Sequence, residues 1–221
     1  MPYYSTLCRR QRTLAVAIPY SKSADPLHLL VDSTGIKVSG DGEWRAKKHG
    51  PSCRRQWRKV HLGIDADTLE IRAIKLTGSQ IGDAPMLPEL LAQIPDDEPL
   101  GTVTADGTYD TKACYTALAT REACPVIPVR RNARPWKGIT PGEQLRNEAL
   151  RATRRFGRAN WKTWTGYHRR SRVETKMHCL KLMGERLMAR DFDRQVAEFH
   201  VCAAIMNRFT QLGTPKTSRI A

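Results

Sequence analysis

The chain has 221 residues, 40% of them hydrophobic, with 37 Lys+Arg against 22 Asp+Glu and a formal net charge of +15. That length supports one sizeable core, and so large a basic excess opposes compaction unless a polyanion balances it. Six scattered cysteines with no C-x-x-C pair exclude a zinc module and a disulfide framework, which suits a reducing cytoplasm, and neither a membrane-length apolar run nor a signal-peptide core is present.

Residues 1–26 are basic and then turn-rich, ending Ser-Lys-Ser-Ala-Asp-Pro; they read as a leader or the remnant of a preceding domain. Leu27–Val31 is a short apolar run leading into Asp32 and Gly35, which predicts a buried strand. Val38–Gln56, rich in Gly, Lys and Arg, reads as an exposed basic hairpin or loop. Alternation over Trp57–Asp65 and Ile71–Leu76, with Asp-Ala-Asp-Thr between, predicts a β-hairpin. A helix follows from Asp83, its expected N-cap, through Met86, Leu87, Leu90, Leu91 and Ile94 to Pro95. Gly101–Ala105 is strand-like and delivers Asp106. Thr111–Arg121 has helical character, and Val126–Arg130 is expected as a short strand. A basic insertion spans about 131–166, with a helix over Glu143–Arg155. Two helices close the chain, over about Tyr167–Met188 and Phe192–Leu212.

Three antiparallel strands followed by alternating helices and strands make an α/β, RNase H-like mixed five-stranded sheet flanked by helices, with the insertion before the last two helices. That layout gathers the first strand, the fourth strand and the penultimate helix at one side of the sheet. These elements carry Asp32, Asp106 and Glu174.

Tyr167, Arg170, Glu174 and Lys181 share one helical stripe, spanning about 60° of helix surface. A carboxylate beside an aromatic ring and two cations suits a metal next to a phosphate backbone. Mg²⁺ takes oxygen ligands, and two such ions about 4 Å apart can activate a hydroxyl and stabilise a departing oxyanion. Asp32, Asp106 and Glu174 are thus the expected metal ligands and catalytic residues. Each aspartate has a bland alternative as the start of a turn, and Asp110 is the nearest rival to Asp106. Asp65 and Asp67 belong to the hairpin turn. Val173, Met177, Leu180, Met183 and Leu187 form a separate apolar face on the Glu174 helix.

Tyr-x2-Arg-x3-Glu-x6-Lys, present as Tyr167, Arg170, Glu174 and Lys181, resembles the C-terminal signature of DDE transposases from bacterial insertion sequences. Val31-Asp32-Ser-Thr-Gly35 and Thr104-Ala-Asp106-Gly-Thr-Tyr-Asp110 are similar to the segments carrying that family's first two aspartates, and Trp57-Arg-Lys-Val-His61 to its second strand. The resemblance implies metal-dependent cleavage and strand transfer at element ends, with two Mg²⁺ ions for which Mn²⁺ can substitute. It further implies that Tyr167, Arg170 and Lys181 contact double-stranded DNA, both the terminal inverted repeats and the target. A homo-oligomer on DNA, in the bacterial cytoplasm at the nucleoid, is the expected assembly. Similar transposases carry an N-terminal helical region before the first catalytic strand; here Asp32 comes early, so residues 1–26 are expected to be the remnant of that region in a truncated copy. Residues 27–212 are then the catalytic domain and 213–221 a tail. Two alternatives stay open: an inactive DNA-binding remnant regulating a full-length transposase, and a metal-dependent nuclease that only cuts. Basic clusters at Arg45–Lys48, Arg54–Lys59, Arg130–Arg134 and Arg146–Arg158 are expected to extend the DNA track. Trp136, Trp161 and Trp164 either stack on DNA or anchor the insertion, and the six histidines lack metal spacing.

Overall fold

In the computed structural model, which describes residues 3–21, 25–39 and 57–213, the centre is a long strand that buries both of its faces. This strand, β1 (Leu27–Val38), alternates with a period of two. Leu27, Leu29 and Val31 enter one apolar cluster, whereas Leu30 and Ile36 enter another on the opposite face. Around it stand β2 (Trp57–Asp65), β3 (Ile71–Gly78), β4 (Leu100–Thr104) and β5 (Cys124–Val126), in the order β3-β2-β1-β4-β5. β2 and β3 are antiparallel to their neighbours, and β4 and β5 are parallel. A two-residue β6 (Arg186–Leu187) pairs with the far end of β1, adding a sixth strand to the five expected. The architecture is RNase H-like.

Helices α2 (Met86–Leu91) and α3 (Lys112–Thr120) cover the face lined by Leu29 and Val31. The other face is covered by α6 (Ser171–Leu182) and α7 (Phe192–Leu212), through Val173, Met177, Leu180, Phe199 and Ala203. α4 (Pro141–Phe156) and α5 (Arg158–Trp164) form the insertion, and α1 (Tyr4–Thr13) lies against α7. Among the described residues these seven helices complete the set of α-helices.

Four local expectations change. Asp83 does not cap α2: the helix starts at Met86 after Pro85 with no side-chain cap, because Asp83 is drawn instead to Ser33 and Lys59. The short strand is Cys124–Val126, which pairs with β4, and not Val126–Arg130. The expected single helix over Tyr167–Met188 is a 3₁₀ turn (Tyr167–Arg170) running into α6, after Gly166 at φ 67°; it stops at Leu182, before Gly184 and β6. The leader contains α1, held to α7 by Arg12 near Asp191 and Asp193 at 3.7 and 3.5 Å. Beyond Ser39 the expected basic hairpin, with the Arg45–Lys48 cluster, lies outside the described residues.

Candidate active site

Strand alternation decides where Asp32 goes. It shares the parity of Leu30 and Ile36, so it points to the face that α6 covers. Ser33, of opposite parity, points to the α2 side and donates to Asp83 Oδ1 at 2.5 Å. Leu30 pairs with Thr104 across the parallel β1–β4 ladder; Asp32 lies two residues further along inside β1, and Asp106 two residues past Thr104, beyond the end of β4. The two are near enough for the negative charge of Asp106 to be felt at Asp32.

α6 supplies Glu174 through the helical stripe. Arg170 donates from Nη1 to Asp32 Oδ2 and from Nη2 to Glu174 Oε1 at 2.6 Å, so one guanidinium spans the two carboxylates. One helical turn beyond Glu174 comes His178, and Lys181 donates from Nζ to Thr34 Oγ1 at 2.7 Å. Asp32, Ser33, Thr34, Glu174, His178 and Lys181 line one cleft of about 310 Å³. Glu174 is 54% exposed and Asp32 15%, so the first faces solvent and the second forms the floor.

Burial pushes the Asp32 carboxyl above the usual carboxylate range, and the negative charges of Asp106 and Glu174 add to that rise. The Ser33 amide, at 2.8 Å, and Arg170 pull the other way. Arg170 titrates above its ordinary value: burial opposes its charge, but Asp32 first, then Tyr167, Glu174 and Asp106, outweigh that cost. Tyr167 is raised by burial foremost, against the pull of Arg170, which lies 5.9 Å from the ring. Four separate elements thus feel one another's charge here.

Asp106 caps its own turn by accepting from the Thr108 amide at 2.9 Å and from the Thr108 hydroxyl. Its rival Asp110 is buried and committed elsewhere, to Arg146 and the Arg130 amide. Among the described residues no three His, Cys, Asp or Glu side chains stand close enough together, as they lie, to hold a metal ion. Arg170 fills the space between Asp32 and Glu174. Behind the site, Asp83 pairs with Lys59 at 2.7 Å and stands 3.6 Å from the buried His61, which contacts Thr77 Oγ1 at 2.9 Å.

The tryptophans divide. Trp136 packs edge-on against Tyr115, between Lys112 and Arg146, and Trp161 is 3% exposed beside Tyr167; both are anchors. Trp164 is 74% exposed. Arg146, assigned to the DNA track by the sequence, is instead interior. His178 and Asp83 escaped sequence reasoning. The spacing of His178 from Glu174 placed it on the same helical face, a usable signal; Asp83 offered none beyond its cap-like context.

No solved structure matches the chain. A family described as "Transposase DDE domain" matches residues 23–208, and a second family of the same description matches residues 1–41. Signature, sheet topology and this match agree: the chain belongs to the transposase DDE domain family.

Proposed function

We propose that residues 27–212 form a transposase catalytic core that cleaves DNA at insertion-sequence ends and transfers the freed strand to a target. The observation that carries this reading is the single guanidinium shared by Asp32 and Glu174 at one cleft, with Asp106 just beyond the end of the adjoining strand β4. Burial first, and then the negative charges of Asp106 and Glu174, disfavour the charged form of Asp32, and a hard divalent cation would relieve both costs. The donor chemistry therefore fits Mg²⁺ or Mn²⁺, with Asp32, Asp106 and Glu174 as the residues that would hold it. Two such ions, when bound, supply Lewis-acid activation of the attacking hydroxyl and charge relief at the leaving oxygen.

The protein's own groups handle the DNA. Lys181 and Arg170 hold backbone phosphates beside the cut, and the Tyr167 ring offers a stacking face. Arg170 changes partner in this scheme, leaving the two carboxylates for a phosphate as DNA enters. Nicking of an element-end duplex that requires Mg²⁺ or Mn²⁺ and is abolished by Asp32→Ala tests the reading. Joining of the new 3′ end to a second duplex separates transposition from simple hydrolysis. A second reading, a non-catalytic DNA-binding protein that regulates a full-length transposase, is favoured by the one fact that Arg170 already neutralises Asp32 and Glu174. Metal-dependent nicking excludes it; tight end binding without nicking establishes it.

A further inference from the structure

A second cleft, of about 520 Å³, opens in the insertion. One wall is the Val129–Arg134 segment after β5, and the other is the end of α4 with the start of α5. Arg130, Arg131, Arg134, Arg154 and Arg158 line it. Arg154 ties the walls together by donating to the Ala133 carbonyl at 3.0 Å. The other four side chains make no hydrogen bond or ion pair among the described residues. Thr153, also on the lining, has a buried hydroxyl that no protein group partners.

These arginines are exposed and free to meet an anion, and the backbone that carries them is braced from behind. Asp110 accepts from the Arg130 amide at 3.2 Å and from Arg146 on α4, so one buried carboxylate joins both walls. Asp110 is therefore not available to neutralise the cleft. At the α4–α5 corner Gly157, with φ 81°, lets the chain turn sharply and brings Arg158 back toward Arg154. Phe156 and Trp164 pack there at a tilt of 57°, centroids 6.1 Å apart, half or more exposed.

Both walls are tied to segments that neighbour the candidate active site. The first hangs on the turn that runs from Asp106 to Asp110, where a side chain at Gly107 would meet the Pro128 carbonyl at 3.2 Å. The second leads through α5, whose Trp161 packs on Tyr167 at 6.4 Å. A lone phosphate would need a compact pocket; here five arginines are strung along two walls of one cleft.

We propose that this trough binds the sugar-phosphate backbone of duplex DNA on one side of the cut phosphate. The site deepens the transposase reading and rests on it only for the choice of DNA as the polyanion. Its test uses a fluorescently labelled duplex in EDTA, so that no cleavage step contributes. In the full chain, Arg131→Ala, Arg134→Ala and Arg158→Ala are combined, and Kd is measured across a NaCl series. Each phosphate contact contributes about 0.9 to the slope of log K against log salt, so the slope becomes shallower by about 2 to 3. A control removes the same charge elsewhere, by Lys75→Ala, Arg190→Ala and Arg208→Ala, and leaves the slope near the parent value. An unchanged slope in the first variant, or an equal change in the control, overturns the proposal. Because binding is read without metal, failure of the nicking experiment leaves this result independent.

Discussion

Replacing Arg146 separates the two neighbouring aspartates by what they do. Arg146 and Asp110 are 4% and 2% exposed, and their two contacts measure 3.1 and 3.3 Å. Arg146 also donates to the Arg134 carbonyl at 2.6 Å and stacks on Trp136 at 4.6 Å. Arg146→Ala leaves Asp110 ionised in the interior with only the Arg130 amide to satisfy it. Breaking a buried pair in this one-sided way costs about 3–5 kcal/mol. For a chain of this size each kcal/mol lowers Tm by roughly 2–4 °C, so the expected fall is about 6–20 °C. Pairing Arg146→Met with Asp110→Leu removes both charges and recovers most of the loss. Asp106→Asn behaves oppositely: asparagine preserves the cap, stability stays within about 0.5 kcal/mol of parent, and metal-dependent nicking disappears. Thermal unfolding by circular dichroism, with a urea titration for ΔG, reads the stability arms. If Arg146→Ala costs under about 1 kcal/mol, or the double variant is no better than the single, the pair is not the buried brace described here.

Three other outcomes follow from the site. Arg170→Ala tightens Mn²⁺ binding to the DNA-free chain by about tenfold or more, since charged hydrogen bonds of about 1.5–3 kcal/mol no longer compete; calorimetry showing equal affinity removes Arg170 from that role. Lys181→Ala weakens duplex binding and makes its salt slope shallower by about 0.9, while folding is preserved because among the described residues its ammonium bonds only the Thr34 hydroxyl. Burial holds His61 down to about 4 from an ordinary 6.5, so the unfolded chain gains a proton as pH falls through 6.5 and the folded chain declines it until about 4. Stability present above pH 6.5 is therefore lost across that window, by about 3 kcal/mol from this group. A His61→Asn variant flattens the pH–stability curve there; a curve as steep as the parent's assigns the loss to other groups.

What the sequence revealed depended on whether the relevant partners lay within one repeat of the backbone. Glu174 and Lys181 lie on one α-helix and Tyr167 and Arg170 in the 3₁₀ turn that leads into it, so the helix period was enough to group them. Asp32 and Asp106 stood out because each follows an apolar run; the first run continues as β1 past Asp32 to Val38, and the second ends as β4 at Thr104. Asp83 misled because proline and a following apolar period make a good cap context, whereas the partners that claim it, Ser33 and Lys59, lie 50 residues away and across the hairpin. The same holds for Arg146, which looks like one cation among many in Arg146–Arg158 until Asp110, 36 positions earlier, is set beside it. Charge counting cannot tell a buried arginine from a DNA-facing one; only the location of its carboxylate can. That distinction reorganises the basic insertion. With Arg146 inside as a brace, Arg130, Arg131 and Arg134 are left on one wall of a single trough and Arg154 and Arg158 on the other. The brace and the trough are thus one device, since the buried pair is what holds the exposed cations in line.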